Sequence, residues 1–415
     1  MNPILPDSRA RCVCLQMIRS FDETGFIDYD GERTVPSGLL LEPGCGHMFG
    51  VLVTYEGTII KAFSGALNGR WTVPGFAGPT FDEKQYHDVL DRYTPALDEL
   101  TRRIGGGEAL LRREREALSA EAMAELKKTY RFFCFDGKTR RLDEIFPDAP
   151  SGTGDCCAPK LLSKAYEMGQ RPAYLAEFFY GSGAHPHCSF HAPCDSRCRP
   201  ILKHIIGLDI VYRDDDIVVI DKPAGLLSIP GIGPEKADCA ATRVRRFFSH
   251  CIAQPCIHRL DQDTSGLMVL GLTDRAHNAL SIDFENRRVT KEYVALVEGI
   301  VREPEGTVNL PIRPDLENRP RQIVDPDRGR PAVTHWKTIR VEKHPGGPQT
   351  RLLIKLETGR THQIRVHMSA GLGHPVVGDR LYGHPGDRLM LHAGHLVFTH
   401  PVTGQRMEFV SEPEF

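Results

Sequence analysis

The sequence predicts an α+β protein in two halves, and three patterns predict it. Between Phe49 and Trp71 apolar and polar residues alternate around Glu56-Gly57 and Asn68-Gly69, the signature of hairpins. From Phe81 to Tyr130 the composition turns to Glu, Arg, Lys, Ala and Leu with apolar residues at helical spacing. From Asp209 onward short alternating runs are interleaved with segments of helical length, as in a layered α+β unit.

In chain order, residues 1–80 read as a small antiparallel β-rich unit, with Val51-Leu52-Val53-Thr54 and Thr58 to Phe63 as its strands. Residues 81–130 read as two antiparallel helices joined at Gly105-Gly106-Gly107. Leu90, Leu97, Leu100 and Ile104 make a stripe before the break, and Leu110, Leu111, Leu118 and Leu126 make one after it. Residues 131–206 form a Cys/His-rich connection in which Lys160 to Met168 and Pro172 to Phe178 look helical.

Residues 207–415 read as a separate domain. Ile210-Val211-Tyr212 and Ile217 to Ile220 flank the acidic turn Asp214-Asp215-Asp216, and a helix follows from Cys239 to Ile252. Leu267 to Leu272 is an apolar run with the character of a buried strand. Thr273 caps a helix through Asn286, and Thr290 to Val297 alternates as a strand. Leu352 to Leu356, a helix capped by Thr361, and two last strands at Leu389 to Ala393 and Leu396 to Phe398 complete the order.

Composition limits the function. At 415 residues the chain suits two or three domains, and a net charge of −2 does not itself suggest a polyanion partner. From Leu208 onward 27 Lys plus Arg meet 27 Asp plus Glu. Nucleic acid would have to be held by patches such as Arg243, Arg245 and Arg246, Arg287 and Arg288, or Arg319 and Arg321, which read equally as solvated faces. Met1 to Leu15 lacks the apolar core of a leader, and no run approaches membrane-spanning length, so a cytoplasmic location and no membrane partner are expected.

The twelve cysteines suggest thiols or a metal site more than a disulfide framework. Five fall between Cys156 and Cys198. Cys156, Cys157, Cys194 and Cys198 are the candidates for a structural metal, although their spacing is not a clean pair of CxxC knuckles; buried free thiols are the alternative.

Chemistry concentrates in Ile257-His258-Arg259-Leu260-Asp261-Gln262-Asp263-Thr264-Ser265-Gly266, polar groups on a loop ahead of a core strand. A tight turn accounts for the same residues. Three later stretches keep it company: Lys291-Glu292-Tyr293, Thr358-Gly359-Arg360-Thr361-His362-Gln363-Ile364-Arg365-Val366-His367, and Gly373 to Gly383 with Gly378-Asp379 and Tyr382. In this order they resemble the RluA-type family of RNA pseudouridine synthases over about residues 209–415. No S4-type RNA-binding module is evident ahead of the match.

The resemblance implies a mixed, largely antiparallel sheet with flanking helices, an isomerase acting on tRNA or rRNA, no cofactor or catalytic metal, and a monomer. It implies Asp261 as the catalytic carboxylate, acting as nucleophile or base, and Arg259 as the side chain that fills the space left by a flipped nucleotide. It implies Tyr293 as a ring against the uracil whose hydroxyl can take part in proton transfer at C5, and Arg365 as the ion-pair partner of Asp261. Arg360, His362 and Gln363 would orient the loop without being catalytic, and Asp379 and Tyr382 would close the sheet. Asp261 with Asp263 also suggests a two-carboxylate glycosidase, but two residues so close in one loop do not straddle a scissile bond convincingly. An RNA-binding or chaperone protein on an inactive scaffold is the other alternative; it would be expected to have lost one of Asp261, Tyr293 or Arg365, and all three are present.

Overall fold

The computed structural model describes residues 8–194, 197–248 and 250–415. The first seven residues of Met1 to Leu15, and Ser249 within the expected Cys239 to Ile252 helix, lie outside the described residues. The chain divides into two compact units, Met1–Gly207 and Leu208–Phe415. No described helix is long and apolar enough to cross a membrane.

The N-terminal unit runs α1 (Ser8–Thr24), β1 (Gly46–Thr54), β2 (Ile59–Phe63), α2 (Glu83–Gly105), α3 (Arg112–Lys127), β3 (Arg131–Phe133), β4 (Thr139–Arg141), α4 (Leu142–Ile145), α5 (Cys157–Glu167), β5 (Pro172–Gly181), β6 (Phe190–His191) and α6 (Arg199–Ile206). Its main sheet has the order β2-β1-β5-β6. The β1–β2 hairpin turns at Glu56-Gly57, with Phe49 opposite Phe63 and Val53 opposite Ile59. Two expectations are corrected here. Pro172 to Phe178 is strand, because pairing along the whole of β1 and burial of Phe178 and Tyr180 override the helix preference of its Ala, Leu and Glu. Residues 1–80 are not a self-contained unit, because β5 from beyond the helical hairpin is the central partner of β1.

Helix α1 packs Ala10, Cys14, Met17 and Phe21 onto this sheet, where Phe21, Phe49 and Tyr180 meet edge to face. Helix α2 starts where Asp82 accepts a hydrogen bond from the Gln85 N–H at 2.8 Å. It pairs with α3 through Val89, Tyr93 and Ala122.

The C-terminal unit runs β7 (Asp209–Arg213), β8 (Ile217–Lys222), α7 (Ala240–Phe247), β9 (Ser265–Gly271), α8 (Asp274–Glu285), β10 (Thr290–Glu298), β11 (Glu305–Asn309), β12 (Ile312–Pro314), β13 (Gln322–Val324), β14 (Val333–His344), β15 (Gly347–Leu356), α9 (Gln363–Val366), β16 (Leu391–Thr399) and β17 (Arg406–Val410). Among the described residues nine strands form one sheet of order β11-β14-β15-β10-β16-β9-β8-β7, with β17 beside β16. Its pairs are antiparallel except β16 with β9, which is parallel. This is the mixed, largely antiparallel sheet with flanking helices that the resemblance implies.

Local chemistry explains the connections. The acidic turn closes because Asp214 accepts from the N–H groups of Asp216 and Ile217, both at 2.8 Å. Thr273 caps α8 by accepting from the Ala276 N–H. Gly266 sits at φ +119°, and a Cβ there would lie 2.4 Å from the Ala393 carbonyl oxygen, so only glycine admits the approach of β16. Three expectations are revised. Helix α7 ends at Phe247, where Phe248 turns extended and buries its ring beside Phe247. The two last strands are one strand, β16, paired with β17 across the Pro401-Val402-Thr403-Gly404 turn. Thr361 does not cap a helix: His362 is the N-cap, in the left-handed region at φ +54°.

Candidate active site

A cleft of about 600 Å³ opens over β10, β15 and β16 and is lined by Arg259, Asp261, Lys291, Tyr293, His362 and Arg365, among others. Three clamps fix the loop that carries Asp261. The Ser228 hydroxyl accepts from the Leu260 N–H at 3.0 Å and donates to the Leu260 carbonyl at 2.6 Å. His258 Nε2 accepts from the Val269 N–H at 3.1 Å, and its ring stacks on Phe284. Burial, with the charge of Lys291 nearby, pushes the His258 imidazole down to about 3, so it is a neutral acceptor.

Lys222 is the third clamp. Its Nζ donates to the carbonyls of Pro223, Leu226 and Gln262 at 2.9, 2.7 and 3.0 Å. Gln262 lies between the two loop carboxylates, so the ammonium fastens the peptide that aims Asp261. Burial pulls Lys222 down to about 7, while Asp261, Asp263 and Asp221 pull it upward. Three carbonyl acceptors match the three N–H donors of the charged form.

The carboxylate of Asp261 faces the Arg365 guanidinium and the His362 imidazole on one side. Arg365 Nη1 is 3.7 Å and His362 Nε2 is 4.0 Å from Asp261 Oδ2. The hydrogen bonds of Arg365 go elsewhere: Nε and Nη2 both donate to Asp379 at 2.7 Å, a bidentate pair in which Asp379 is fully buried. Asp379 in turn accepts from the N–H groups of Leu381 and Tyr382, and Arg365 lies 5.2 Å over the Tyr382 ring. Asp261 is thus the second anion of Arg365, not its hydrogen-bonded partner.

The same turn orients His362. Tyr382 accepts from the Gln322 N–H at 2.7 Å, and its hydroxyl lies 2.7 Å from His362 Nδ1. Burial lowers the His362 pKa. For a neutral ring, the phenol proton on Nδ1 leaves an Nε2–H directed toward Asp261. Gln363 ties the turn down with four contacts, accepting from Thr358 and the Arg360 N–H and donating to Val333 and Thr334.

Tyr293 projects from β10 and is buried. Burial, with Asp261 adding to it, raises its phenol well above the ordinary tyrosine range, so the hydroxyl stays protonated. Arg259 is exposed at the rim, where it donates to the Thr361 hydroxyl at 2.9 Å. Asp263 pairs with the exposed Arg380 at 3.1 Å and is not among the lining residues, which leaves the glycosidase reading no second carboxylate from this loop. Of the basic patches, Arg287 reaches the cleft, whereas Arg243 pairs with Asp238.

Residue by residue, Asp261, Arg259, Tyr293 and Arg365 come together in one cleft. Sequence reasoning misses Lys222 and gives Asp379 only a structural role in closing the sheet. A lysine ending an otherwise apolar strand and an aspartate after Gly378 were the available signals. Of the metal candidates, Cys156, Cys194 and Cys198 cluster in the N-terminal unit. Cys157 does not: its thiol is buried against the Met48 and Ala62 carbonyls, on the sheet side of α5.

Comparison with known proteins bears on the C-terminal unit. A family profile described as RNA pseudouridylate synthase matches residues 216–370. The dual-specificity RNA pseudouridine synthase RluA of Pasteurella multocida is 44% identical over 213 residues, half of this chain and 94% of the relative. That of Escherichia coli K12 is 42% identical over the same shares. The structure of human RNA pseudouridylate synthase domain containing 1 aligns with a TM-score of 0.43 at 32% identity, covering 50% of this chain and 84% of that one.

Proposed function

The chain belongs to the RluA-type family of RNA pseudouridine synthases, and from that premise we propose how its cleft converts uridine to pseudouridine. It is an isomerase acting on RNA. The reaction breaks the C1′–N1 bond, turns the uracil, forms a C1′–C5 bond and moves the C5 proton away, with N1 gaining one. A stacked base is out of reach, so the uridine enters the cleft flipped.

In this reading Asp261 meets the sugar and base and is the catalytic residue. Arg259 occupies the gap the nucleotide leaves, as a planar cation suited to stacking. Tyr293 packs against the uracil, with its protonated hydroxyl available to the proton movement at C5. Arg365, anchored by Asp379, holds the Asp261 carboxylate in orientation. The observation that carries the reading is that Asp261, Tyr293 and Arg365 line one cleft with the carboxylate 3.7 Å from the guanidinium.

The substrates are tRNA or rRNA. The relatives' name states two specificities, and we carry this over as a cleft that accepts uridines in more than one RNA. The protein acts as a monomer in the cytoplasm, which light scattering of the purified protein and fractionation of its host test. Tritium release from RNA labelled at uracil C5, separated into transfer and ribosomal fractions, tests the substrate. Release from both fractions supports the reading, release from one narrows it to that class, and none from either, with folded protein, points to a binding protein on this scaffold.

A further inference from the structure

Three cysteines of the N-terminal unit converge from distant parts of the sequence. Cys156 is the N-cap of α5, Cys198 is the N-cap of α6, and Cys194 lies in the loop before α6. Their sulfurs all lie within 4.8 Å of one another. Cys156 and Cys194 are 4.0 Å apart, far beyond the roughly 2.05 Å of a disulfide. Two thiolates about 2.3 Å from one zinc ion at the tetrahedral angle sit about 3.8 Å apart, close to that separation. Thiolates on different irons of an iron–sulfur cluster sit further apart, so three sulfurs this close suit a single ion.

The backbone around Cys194 suits a thiolate. The Cys198 N–H donates to the Cys194 sulfur at 3.3 Å, a backbone dipole aimed at the charge. Cys156 and Cys198 each sit at the positive end of a helix. In the same unit, buried Glu177 has an Oε1 without a hydrogen-bond partner among the described residues.

We propose that Cys156, Cys194 and Cys198 are three ligands of one tetrahedral zinc ion that staples the loop before α6 to the start of α5. The staple has a physical purpose. Between β5 and α6 the only regular element among the described residues is the two-residue β6, too little hydrogen bonding to fix the loop by itself. An ion joining Cys156 to Cys198 closes a long loop, where a cross-link removes the most chain entropy. Its role is structural, in the unit that precedes the catalytic one in sequence.

The test is elemental analysis of the full chain purified without chelator or metal-affinity resin. About one zinc per chain is expected in the wild type and in Cys157→Ser, falling to background in Cys194→Ser and Cys198→Ser. Should the serine variants misfold, the wild type decides. Stripped under reductant and titrated with Co²⁺, it should develop thiolate-to-cobalt charge-transfer absorption that saturates at about one equivalent and is displaced by Zn²⁺. Zinc at background in the wild type with no cobalt band, iron with acid-labile sulfide in its place, or a Cys156–Cys194 disulfide in protein kept under reductant would each overturn the proposal.

Discussion

Asp379→Asn is the most informative perturbation of the site. The fully buried carboxylate receives two 2.7 Å bonds from Arg365, whose side chain is only 4% exposed. Removing one partner of a buried pair costs about 3–5 kcal/mol. Asp261, 3.7 Å from Nη1, can recover about 1–2 kcal/mol by closing to hydrogen-bond distance. The expected net loss is therefore about 1–4 kcal/mol, with turnover down about a hundredfold because Asp261 is drawn out of position. The chain has two tryptophans, Trp71 and Trp336, so Trp336 fluorescence in a Trp71→Phe background reports urea unfolding of the catalytic unit alone.

The pH dependence follows with its sign. Burial raises the carboxyl of Asp379, but the bonds from Arg365 outweigh it and hold the group below its ordinary 3.8. The stabilisation is present above that value and is lost as pH falls through the lower folded value, so the gap between wild type and variant is constant near neutrality and closes in acid. A loss under about 1 kcal/mol with unchanged turnover would refute the coupling of Asp379 to Asp261 through Arg365.

Other perturbations probe neighbouring parts. Lys222→Met removes the donor to three carbonyls but also a buried ammonium, so stability should fall only about 1–2 kcal/mol while turnover drops about tenfold; equal turnover would dismiss the clamp. Because Lys222 is held near 7 in the fold and titrates near 10.5 when unfolded, the wild type should gain stability as pH rises between those values, and the variant should lack that slope. Tyr293→Phe keeps the ring and should lower kcat about a hundredfold with RNA affinity nearly unchanged; full activity would confine the residue to packing. Gly266→Ala places a Cβ against the Ala393 backbone at positive φ and should cost about 3–5 kcal/mol by the same fluorescence measurement, whereas a silent change would contradict the register.

The catalytic half is legible in sequence because its chemistry sits in short loops of unusual composition between strongly patterned strands. The N-terminal half is less so because its sheet pairs β1 with β5, more than a hundred residues later, and no local pattern reports that partnership. Pro172 to Phe178 reads as helix until β1 is beside it. Helix α1 carries helical spacing in Ala10, Cys14, Met17 and Phe21, but polar and charged residues dilute that stripe and its burial depends on the β1–β5 sheet. At the site, Asp379 reads only as a residue that closes the sheet because its partner Arg365 is fourteen residues away across the loop. Lys222 looked like a strand end because the carbonyls it binds belong to two other loops.

The measurement that bears most directly on the central claim compares Asp261→Asn with Asp263→Asn, which differ by two residues in one loop but face different surroundings. With RNA labelled at uracil C5, Asp261→Asn should release no tritium while binding RNA as tightly as the wild type, and Asp263→Asn should release it. Tritium release by Asp261→Asn, with loss of release in Asp263→Asn, would contradict the assignment of the catalytic carboxylate.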